Sequence, residues 1–385
     1  MEFISDQLND LLAKNLYRQP FTVSERHGAR IVVDGKELIS FASNDYLGLS
    51  QHPEVIKAAL DATARHGVGT GSSRIIQGTM ECHRSLEKKI AELKGCEDAL
   101  LFPTGYMANI GVLSTLIDED DVVISDELNH ASIIDACKMT GATVVVYPHK
   151  NMERLNQALE EYSLIEKRFV VTDGLFSMDG DLAPLRELVA LAREHGAYTF
   201  VDDAHATGVF GRTGRGSTEH FDVKGQVDFI TGTLSKAVGS LGGFAAGRAD
   251  FVDFLRQRAR SFMYTTAPPP CVVAAAEKAV DLIAKASGPR EKLWDNINYF
   301  CRRLREAGVR PLHGESQIIP VVLGSTENAL AGARELLERG LFVPAIRPPT
   351  VPEGTSRLRI NMTALHTHEE IDKLVEALKS LDIAE

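Results

Sequence analysis

Short runs of apolar, often β-branched residues recur through the middle of the chain, and most are separated by amphipathic segments long enough to form helices. This alternation predicts an α/β fold with parallel strands in a doubly wound sheet. In sheets of this kind ligands collect at the carboxyl ends of the strands, so candidate functional residues are sought there. The predicted strands are Ala99–Phe102, Asp121–Ile124, Thr143–Tyr147, Arg168–Thr172, Tyr198–Val201, Phe229–Thr231 and Gly243–Ala246.

The residues before this region are predicted to form a helix, a hairpin and a second helix. The first helix is expected over Ile4 to Arg18, because a proline soon follows. The stretch "ARIVVDGKELISFAS" is typical of a hairpin with Asp34-Gly35 as its turn. The second helix is expected over Pro53 to His66, before the glycine-rich loop "GVGTGSSRIIQG".

The last third of the chain is predicted to form a smaller α/β domain. After the proline run in "MYTTAPPP", a long helical segment is expected from Cys271 to Gly308. The tail then alternates strand and helix through "SQIIPVVLG", "NALAGARELLERG" and "SRLRINMT", with a final helix from Thr367. We therefore expect an N-terminal extension over residues 1–50, a large domain over 51–284 and a small C-terminal domain over 285–385.

Composition narrows the class of protein. The net charge of -11 leaves no basic surplus to neutralise phosphates, which argues against a nucleic-acid binder. Five cysteines without a CxxC pair fit neither a disulfide framework nor a zinc site, so no metal is expected. No uncharged apolar run is long enough to span a bilayer, and the N-terminus lacks a signal-peptide core. We expect a cytoplasmic protein without a membrane partner.

Polar side chains gather where the predicted strands end. Taken singly, most of them are the residues that cap helices or turns. Together they offer a carboxylate, two histidines, a serine, a helix N-terminus and a lysine at neighbouring strand ends. The residues are Asp202 with His205, Asp173 with Ser177, Asp126 with His130, Thr104-Gly105-Tyr106, and Thr233 with Ser235 and Lys236.

These groups match the chemistry of pyridoxal 5′-phosphate (PLP). A PLP site needs a lysine that forms a Schiff base with the cofactor aldehyde, and an aspartate opposite the pyridine nitrogen. A helix N-terminus with nearby hydroxyls suits the phosphate. The glycine-rich stretch "GTLSKAVGSLGG" supplies such hydroxyls beside its only lysine, Lys236.

The motifs resemble those of the α-oxoamine synthase family of fold-type I PLP enzymes, which join a small amino acid to an acyl thioester and release carbon dioxide. The resemblance is carried by "VDDAHATG" followed by "TGTLSKAVGSLGG". It extends from "NDYLGL" at residues 44–49 to "SRLRI" at residues 356–360, and so covers most of the chain.

The resemblance implies roles for individual residues. Lys236 would bind the cofactor and move the substrate Cα proton, Asp202 would pair with the pyridine nitrogen, and His130 would stack on the ring; these three are the catalytic candidates. His205 and Ser177 would reach the phenolic oxygen. The resemblance also implies homodimers with shared active sites, in which "MYTTAPPP" lends a hydroxyl to the partner's phosphate. The phosphate candidates are Gly105, Tyr106, Thr233, Ser235 and, across the dimer, Thr265 or Thr266.

The segment "VPAIRPPTVPEGTSRLRI" points to a dicarboxylic acyl group, because arginine binds carboxylates in a bidentate fork. Its form "IRPPTVP" is similar to the branch of the family that condenses L-alanine with a pimeloyl thioester, on CoA or acyl carrier protein, in biotin biosynthesis. The stretch "IIQGT" is instead similar to the branch of the family that acetylates glycine. The alternative function is therefore that of the glycine-acetylating branch, or of a bifunctional enzyme of the same family. The implied substrate-binding residues are Arg18, Asn44, Arg347, Thr350 and Arg359.

Two other classes were weighed against this interpretation. A dinucleotide-dependent oxidoreductase is suggested by "GVGTGSSR", but this loop follows a predicted helix, whereas the dinucleotide fingerprint follows a strand. A non-catalytic partner subunit related to the family would lack the cofactor lysine, and this chain contains Lys236.

Overall fold

The computed structural model describes residues 1–381, except for the side chain of Glu2. These residues form two compact units. The larger unit contains Leu47–Phe176 and Leu182–Arg290, and the smaller unit contains Met1–Tyr46, Ser177–Asp181 and the residues from Glu291 onward. The division into domains at residues 50 and 284 stays a prediction.

The larger unit is built on a seven-stranded sheet with the strand order β4-β10-β9-β8-β7-β5-β6. All neighbouring strands run parallel except β10, which is antiparallel to both β4 and β9. The predicted doubly wound, mostly parallel sheet is therefore confirmed. The strands are β4 (Asp98–Phe102), β5 (Val122–Asp126), β6 (Thr143–Tyr147), β7 (Arg168–Asp173), β8 (Tyr198–Asp202), β9 (Phe229–Thr233) and β10 (Gly243–Gly247).

The antiparallel strand β10 has a simple physical cause. Only the loop from Leu234 to Gly242 separates it from β9. A parallel neighbour would need a crossover of roughly a dozen residues or more, whereas a short loop returns the chain antiparallel. The loop is closed by a hydrogen bond of 2.9 Å from the Leu234 amide to the Gly242 carbonyl. Lys236 is thereby held in a loop fixed at both ends by the sheet.

Both faces of the sheet are buried. In β7, Phe169 and Val171 pack into the hydrophobic cluster on one face, whereas Val170 packs into the cluster on the other. Burial on both faces explains why the strands read as nearly continuous apolar runs. The larger unit's helices are α2 (Pro53–His66), α3 (Glu81–Lys94), α4 (Gly105–Leu116), α5 (Ala131–Thr140), α6 (Met152–Glu161), α7 (Leu185–Glu194), α8 (Ser217–His220), α9 (Ala249–Arg258), α10 (Arg260–Met263) and α11 (Pro270–Lys285).

The smaller unit contains two further sheets, with the orders β1-β2-β3-β12 and β11-β14-β13. The predicted hairpin is confirmed: Val33 pairs with Lys36, and both turn residues between them have positive φ, as a type I′ turn requires. Its strands are β1 (Val23–His27), β2 (Arg30–Val33), β3 (Lys36–Ser40), β11 (Ile318–Gly324), β12 (Leu341–Phe342), β13 (Ala345–Ile346) and β14 (Ser356–Asn361), and its helices are α1 (Glu2–Ala13), α12 (Gly288–Ala307, which begins in the larger unit), α13 (Thr326–Glu338) and α14 (His368–Ser380).

Three predicted elements differ from the structure. The prediction of one helical segment from Cys271 to Gly308 is wrong. The first helix of this region, α11, ends before Ala286, which has extended backbone angles. Pro289 then lies in the first turn of α12, the part of a helix that tolerates proline. The first helix ends at Ala13 rather than Arg18, and the glycine-rich loop contains a π-helical turn over Arg74–Gly78. Among residues 1–381, no helix is long and apolar enough to cross a membrane.

His366 is a buried histidine of the smaller unit that the structure holds neutral. Its Nδ1 accepts a hydrogen bond from the Thr363 amide at 3.0 Å, so the proton lies on Nε2, 3.0 Å from the Ser40 carbonyl. The ring stacks on Phe41 with centroids 4.4 Å apart. Burial lowers the pKa of His366 to about 4.

This lowered pKa predicts an acid-sensitive smaller unit. An unfolded histidine takes up its proton near pH 6.5, whereas folded His366 does so only near pH 4, so the unfolded state binds more protons between these values. Stability should therefore fall as the pH drops through this window, by about 2–3 kcal/mol at pH 4.5. Urea unfolding at pH 7.5 and 4.5 should show this extra loss relative to His366→Gln. An equal pH dependence in both proteins would contradict it.

Candidate active site

Lys236 and His205 come together at the carboxyl edge of the seven-stranded sheet. The Lys236 Nζ lies 2.7 Å from the His205 Nε2. Lys236 is half-buried in the loop after β9, and His205 is buried in the loop after β8. Because β8 and β9 are parallel neighbours, their carboxyl ends deliver both residues to the same edge.

Asp202 ends β8 as a buried carboxylate with a fixed orientation. Its Oδ1 accepts from the Ala204 amide at 2.9 Å, and its Oδ2 accepts from the Asn109 Nδ2 at 2.6 Å. Asp173 lies opposite Asp202 in the β7–β8 register. Burial and the neighbouring charge of Asp202 raise the pKa of Asp173 well above its usual range. Two carboxyl groups thus lie side by side at the ends of β7 and β8.

His130 begins α5 above this edge. Its backbone amide donates to the Asp173 Oδ2 at 2.6 Å, and its Nδ1 lies 2.7 Å from the Ser132 Oγ. His130 is exposed to solvent, taken over the whole residue. The protein atoms packed around its imidazole nevertheless desolvate the ring and lower its pKa, an effect that the charge of Asp202 partly opposes. The imidazole is thus neutral near pH 7 and accessible for stacking.

The N-terminus of α4 forms a place for an anion. Thr104 caps the helix by accepting from the Met107 amide at 3.1 Å. A Cβ on Gly105 would lie 3.2 Å from the Thr233 Cβ, so glycine allows the helix start and the end of β9 to approach closely. Thr233 Oγ1 donates to the Gly242 carbonyl and lies 2.7 Å from the Ser235 Oγ. Amides and hydroxyls therefore surround the helix end.

The residues present fit PLP. An amine, a buried carboxylate, a neutral histidine and a helix N-terminus are the donor and acceptor types that its aldehyde, pyridine nitrogen, ring and phosphate require. Tyr106 donates its hydroxyl to Asp135 at 2.6 Å, so its backbone amide, rather than its hydroxyl, is the group suited to the phosphate. Among the residues described, no cluster of histidine, cysteine or acidic side chains could hold a metal ion.

Asn44, Ser177 and Arg359 form a second group, in the smaller unit. The buried Arg359 donates from Nε to the Ser177 carbonyl, 2.5 Å away. Its terminal nitrogens lie 3.4 and 3.5 Å from the Asn44 Oδ1. Ser177 thus belongs to a different unit from the other cofactor candidates, and its role toward the phenolic oxygen stays a prediction.

Arg18, Arg347 and Thr350 form a third group, also in the smaller unit. Arg347 donates to the Asn15 and Tyr17 carbonyls at 2.8 and 2.7 Å, which fixes its guanidinium against the segment after α1. Arg18 lies 3.4 Å from the Thr350 Oγ1. Burial and the nearby charge of Arg18 lower the pKa of Arg347.

The predicted dimer segment is anchored to its own chain. The Ala267 amide donates to the Ser72 carbonyl at 3.0 Å, and Thr266 forms an isolated bridge with Ser73. Thr266 is exposed and Thr265 half-buried. The segment is therefore held in a defined place with the side chain of Thr266 at the surface.

Near the sheet edge, one residue singled out from the sequence has a different role, and two buried residues were not singled out. Asp126 was grouped with His130, but it accepts from the Leu128 and Lys150 amides and thus orders a loop. Asn109 was not singled out, although a lone amide in the apolar helix "GYMANIGVLSTL" was a usable signal. Asp203 was also missed; it forms a fully buried ion pair with Lys94, with Nζ and Oδ2 2.5 Å apart.

Comparisons with known proteins give the family of the chain. The family model for aminotransferases of class I and II matches residues 36–378. An 8-amino-7-oxononanoate synthase from Thermoanaerobacter pseudethanolicus is 44% identical over 99% of this chain and 97% of that protein. Another, from Geobacter sulfurreducens, is 46% identical over 97% of this chain and 96% of that protein.

A solved structure is similarly close. Serine palmitoyltransferase from S. paucimobilis, determined with a bound PLP–myriocin aldimine, is 35% identical, with a TM-score of 0.93 over 98% of this chain and 96% of that one. The match extends across both units, so the fold is that of a fold-type I PLP enzyme. The chain belongs to the aminotransferase class I and II family, in the branch that contains the 8-amino-7-oxononanoate synthases.

Proposed function

We propose that this protein is a PLP-dependent synthase that joins L-alanine to a pimeloyl thioester and produces 8-amino-7-oxononanoate for biotin biosynthesis. The observation that carries the proposal is the pairing of Lys236 with His205 at the sheet edge where the buried Asp202 ends β8, in a chain 44% identical to a synthase of that name along nearly its whole length. In the reaction a new bond joins the alanine Cα to the acyl carbon, the thiol leaves, and the alanine carboxylate departs as carbon dioxide.

Bound PLP supplies an aldehyde that captures amines and a protonated ring that withdraws electrons from the substrate Cα. Lys236 is the residue that attaches to the cofactor and, once released, takes and returns the Cα proton at its Nζ. His205 holds that Nζ at 2.7 Å and so orients it. Asp202 keeps the proton on the pyridine nitrogen, and its burial strengthens the interaction between the two charges.

The α4 N-terminus and the β9 loop hold the phosphate in this proposal. The backbone amides of Gly105 and Tyr106 and the hydroxyl of Ser235 supply hydrogen bonds to its oxygens. Thr233 joins them by turning its hydroxyl away from the Gly242 carbonyl, to which it donates in the structure. Ser177 and His205 interact with the phenolic oxygen, and His130 stacks on the ring. The helix dipole adds a favourable interaction with the phosphate charge.

Arginine and amide side chains are the carboxylate-binding groups in this proposal. Arg359 and Asn44 hold the carboxylate of alanine, and the contact of Arg359 with the Ser177 carbonyl sets the direction of its fork. Arg18, Arg347 and Thr350 face the acyl substrate. Burial and, to a smaller extent, the charge of Arg18 lower the pKa of Arg347, so an anion beside these guanidinium groups is favoured.

The active form in this proposal is a cytoplasmic homodimer. Ile75, Ile76 and Tyr264 are large apolar side chains with exposed fractions of 47, 78 and 68%, and the Ser73–Thr266 bridge brings their segments together. Exposed apolar patches of this kind mark protein interfaces. All five cysteines are free thiols, as suits a reducing compartment.

Subunit mixing should reveal the shared active site. Thr265→Ala combined with Thr266→Ala should weaken PLP binding, since each lost hydrogen bond to a charged group costs about 1.5–3 kcal/mol. Mixed with inactive Lys236→Ala protein, this double variant should regain activity, because one pocket of each heterodimer then carries neither defect. The measurement is activity against time after mixing, with subunit exchange followed by mass. No gain despite exchange would show that both threonines serve their own chain.

Product analysis tests the reaction itself. The purified protein with PLP, L-alanine and pimeloyl-CoA should release carbon dioxide and 8-amino-7-oxononanoate, identified by mass spectrometry. Parallel reactions contain pimeloyl acyl carrier protein, or glycine with acetyl-CoA. Faster turnover of glycine with acetyl-CoA would instead assign glycine C-acetyltransferase, the activity suggested by "IIQGT" at residues 75–79.

A further inference from the structure

Asn109 is a buried amide on α4 whose polar atoms are all used by other elements. Only 1% of the residue is exposed. Its Nδ2 lies 2.6 Å from the Asp202 Oδ2 and 2.8 Å from the Ser132 Oγ. Its Oδ1 lies 2.7 Å from the Thr231 Oγ1. One side chain thus connects the ends of β8 and β9 with the start of α5.

The direction of each hydrogen bond in this cluster follows from counting protons. A carboxylate only accepts, so the Asn109 atom facing Asp202 is the NH₂ group. The second proton of that group points to the Ser132 oxygen, and Thr231 donates to the Asn109 carbonyl. The Ser132 hydroxyl then has its own proton available for His130, whose Nδ1 lies 2.7 Å away.

The Nδ1 of His130 is therefore an acceptor. It receives the Ser132 hydroxyl and also the Ser132 backbone amide, at 3.2 Å. A proton on Nδ1 would face two donors at once, so the ring proton lies on Nε2. The chain of hydrogen bonds runs without a gap from Asp202 through Asn109 and Ser132 to His130.

We propose that Asn109 is a positioning residue of the PLP site, which orients the Asp202 carboxylate and, through Ser132, fixes the His130 imidazole in the tautomer with its proton on Nε2. The proposal rests on the proposed function, because that function places Asp202 and His130 against the cofactor. It adds that the orientation of Asp202 and the tautomer of His130 both depend on the side-chain amide of Asn109.

Other charged groups lie near the His130 imidazole and affect its protonation. Asp202 and Asp135 favour the protonated imidazole, whereas Lys236 disfavours it. The Asp173 carboxylate contacts the backbone amide of His130, not its ring. None of these charged groups hydrogen-bonds to Nδ1. The tautomer therefore depends on the hydroxyl and backbone amide of Ser132 and, through that hydroxyl, on the Asn109 side chain.

Four variants separate positioning from general destabilisation. Asn109→Ala removes both donors, and Ser132→Ala removes only the hydroxyl link to His130. Ser132→Thr keeps a hydroxyl and should rescue the effect. Ser114→Ala is the matched control on α4, because the Ser114 hydroxyl bonds only to the Ile110 carbonyl within its own helix.

The measurements are the ¹⁵N chemical shifts of His130 in PLP-loaded, histidine-labelled protein and the affinity for PLP. Wild type, Ser132→Thr and Ser114→Ala should show a neutral Nε2–H tautomer. Asn109→Ala and Ser132→Ala should show a larger fraction of the Nδ1–H tautomer, although the Ser132 backbone amide still donates to Nδ1 and limits the change. Asn109→Ala should also bind PLP about 10- to 100-fold more weakly, because Asp202 loses a donor, whereas Ser132→Ala should change this affinity by less than about threefold.

Unchanged His130 shifts and PLP affinity in Asn109→Ala would overturn the proposal. If that variant does not fold, identical His130 shifts in Ser132→Ala and Ser132→Thr would overturn it equally, since these differ in the linking hydroxyl. Wild-type protein that binds no PLP would instead contradict the proposed function, while the tautomer of His130 could still be measured in the unloaded protein.

Discussion

Lys236→Ala will abolish the attachment of PLP that borohydride fixes in the wild-type protein, and will lower the condensation rate by at least about 10²–10⁴-fold, the usual contribution of a general acid–base group. The reason lies in its position: the Nζ is the amine held 2.7 Å from His205 at the sheet edge. Lys150 also follows a strand of this sheet, but that strand, β6, is the outermost one and lies four strands away from β9. Mass spectrometry of a reduced tryptic digest locates the label.

Lys138→Ala is a suitable control for this experiment. Lys138 lies exposed on α5, in the element that His130 begins, and so belongs to the same part of the larger unit. This variant should keep both the label and the rate. A label on any lysine other than Lys236 in the wild-type protein would refute the assignment of the site.

Asp202→Asn will keep PLP bound but slow the exchange of the alanine Cα proton in deuterated water by about 10- to 150-fold, the loss of one charge-assisted hydrogen bond. A neutral amide cannot hold a proton on the pyridine nitrogen. It also presents an NH₂ group either to the Ala204 amide or to the Asn109 Nδ2, both of which are donors. Exchange is followed by loss of the Cα proton signal in NMR.

Asp250→Asn provides the comparison for the Asp202 variant. Asp250 is an exposed carboxylate on α9 that pairs with Arg248 at the surface. This change should leave exchange at the wild-type rate. Near-normal exchange in Asp202→Asn would mean that another group protonates the ring, and the assignment of Asp202 would fail.

The catalytic edge could be predicted because each of its residues follows its own strand. Lys236 follows β9, Asp202 is the last residue of β8 and His130 follows β5. The order of parallel neighbours brings these carboxyl ends together. The pattern of apolar runs locates each strand end to within a few residues. Strand ends and the polar residues after them were therefore accessible to sequence reasoning.

The contacts between these residues could not be predicted in the same way. Asn109 meets Asp202 and Thr231 across separations of 93 and 122 residues, which no local pattern encodes. The raised pKa of Asp173 likewise depends on its register with Asp202 and on burial. The helix break before Gly288 was missed because amphipathic character continues on both sides of it.

The chain order of the smaller unit has a consequence for synthesis on the ribosome. Its β3 strand pairs with β12, so Ile39 is made long before its partner Leu341. At about 5–20 residues per second, the delay is on the order of tens of seconds. The larger unit, by contrast, is complete once Arg290 has been made. The early hairpin must therefore wait with an unpaired edge strand, and a nascent chain stalled near residue 290 would expose that edge to other chains.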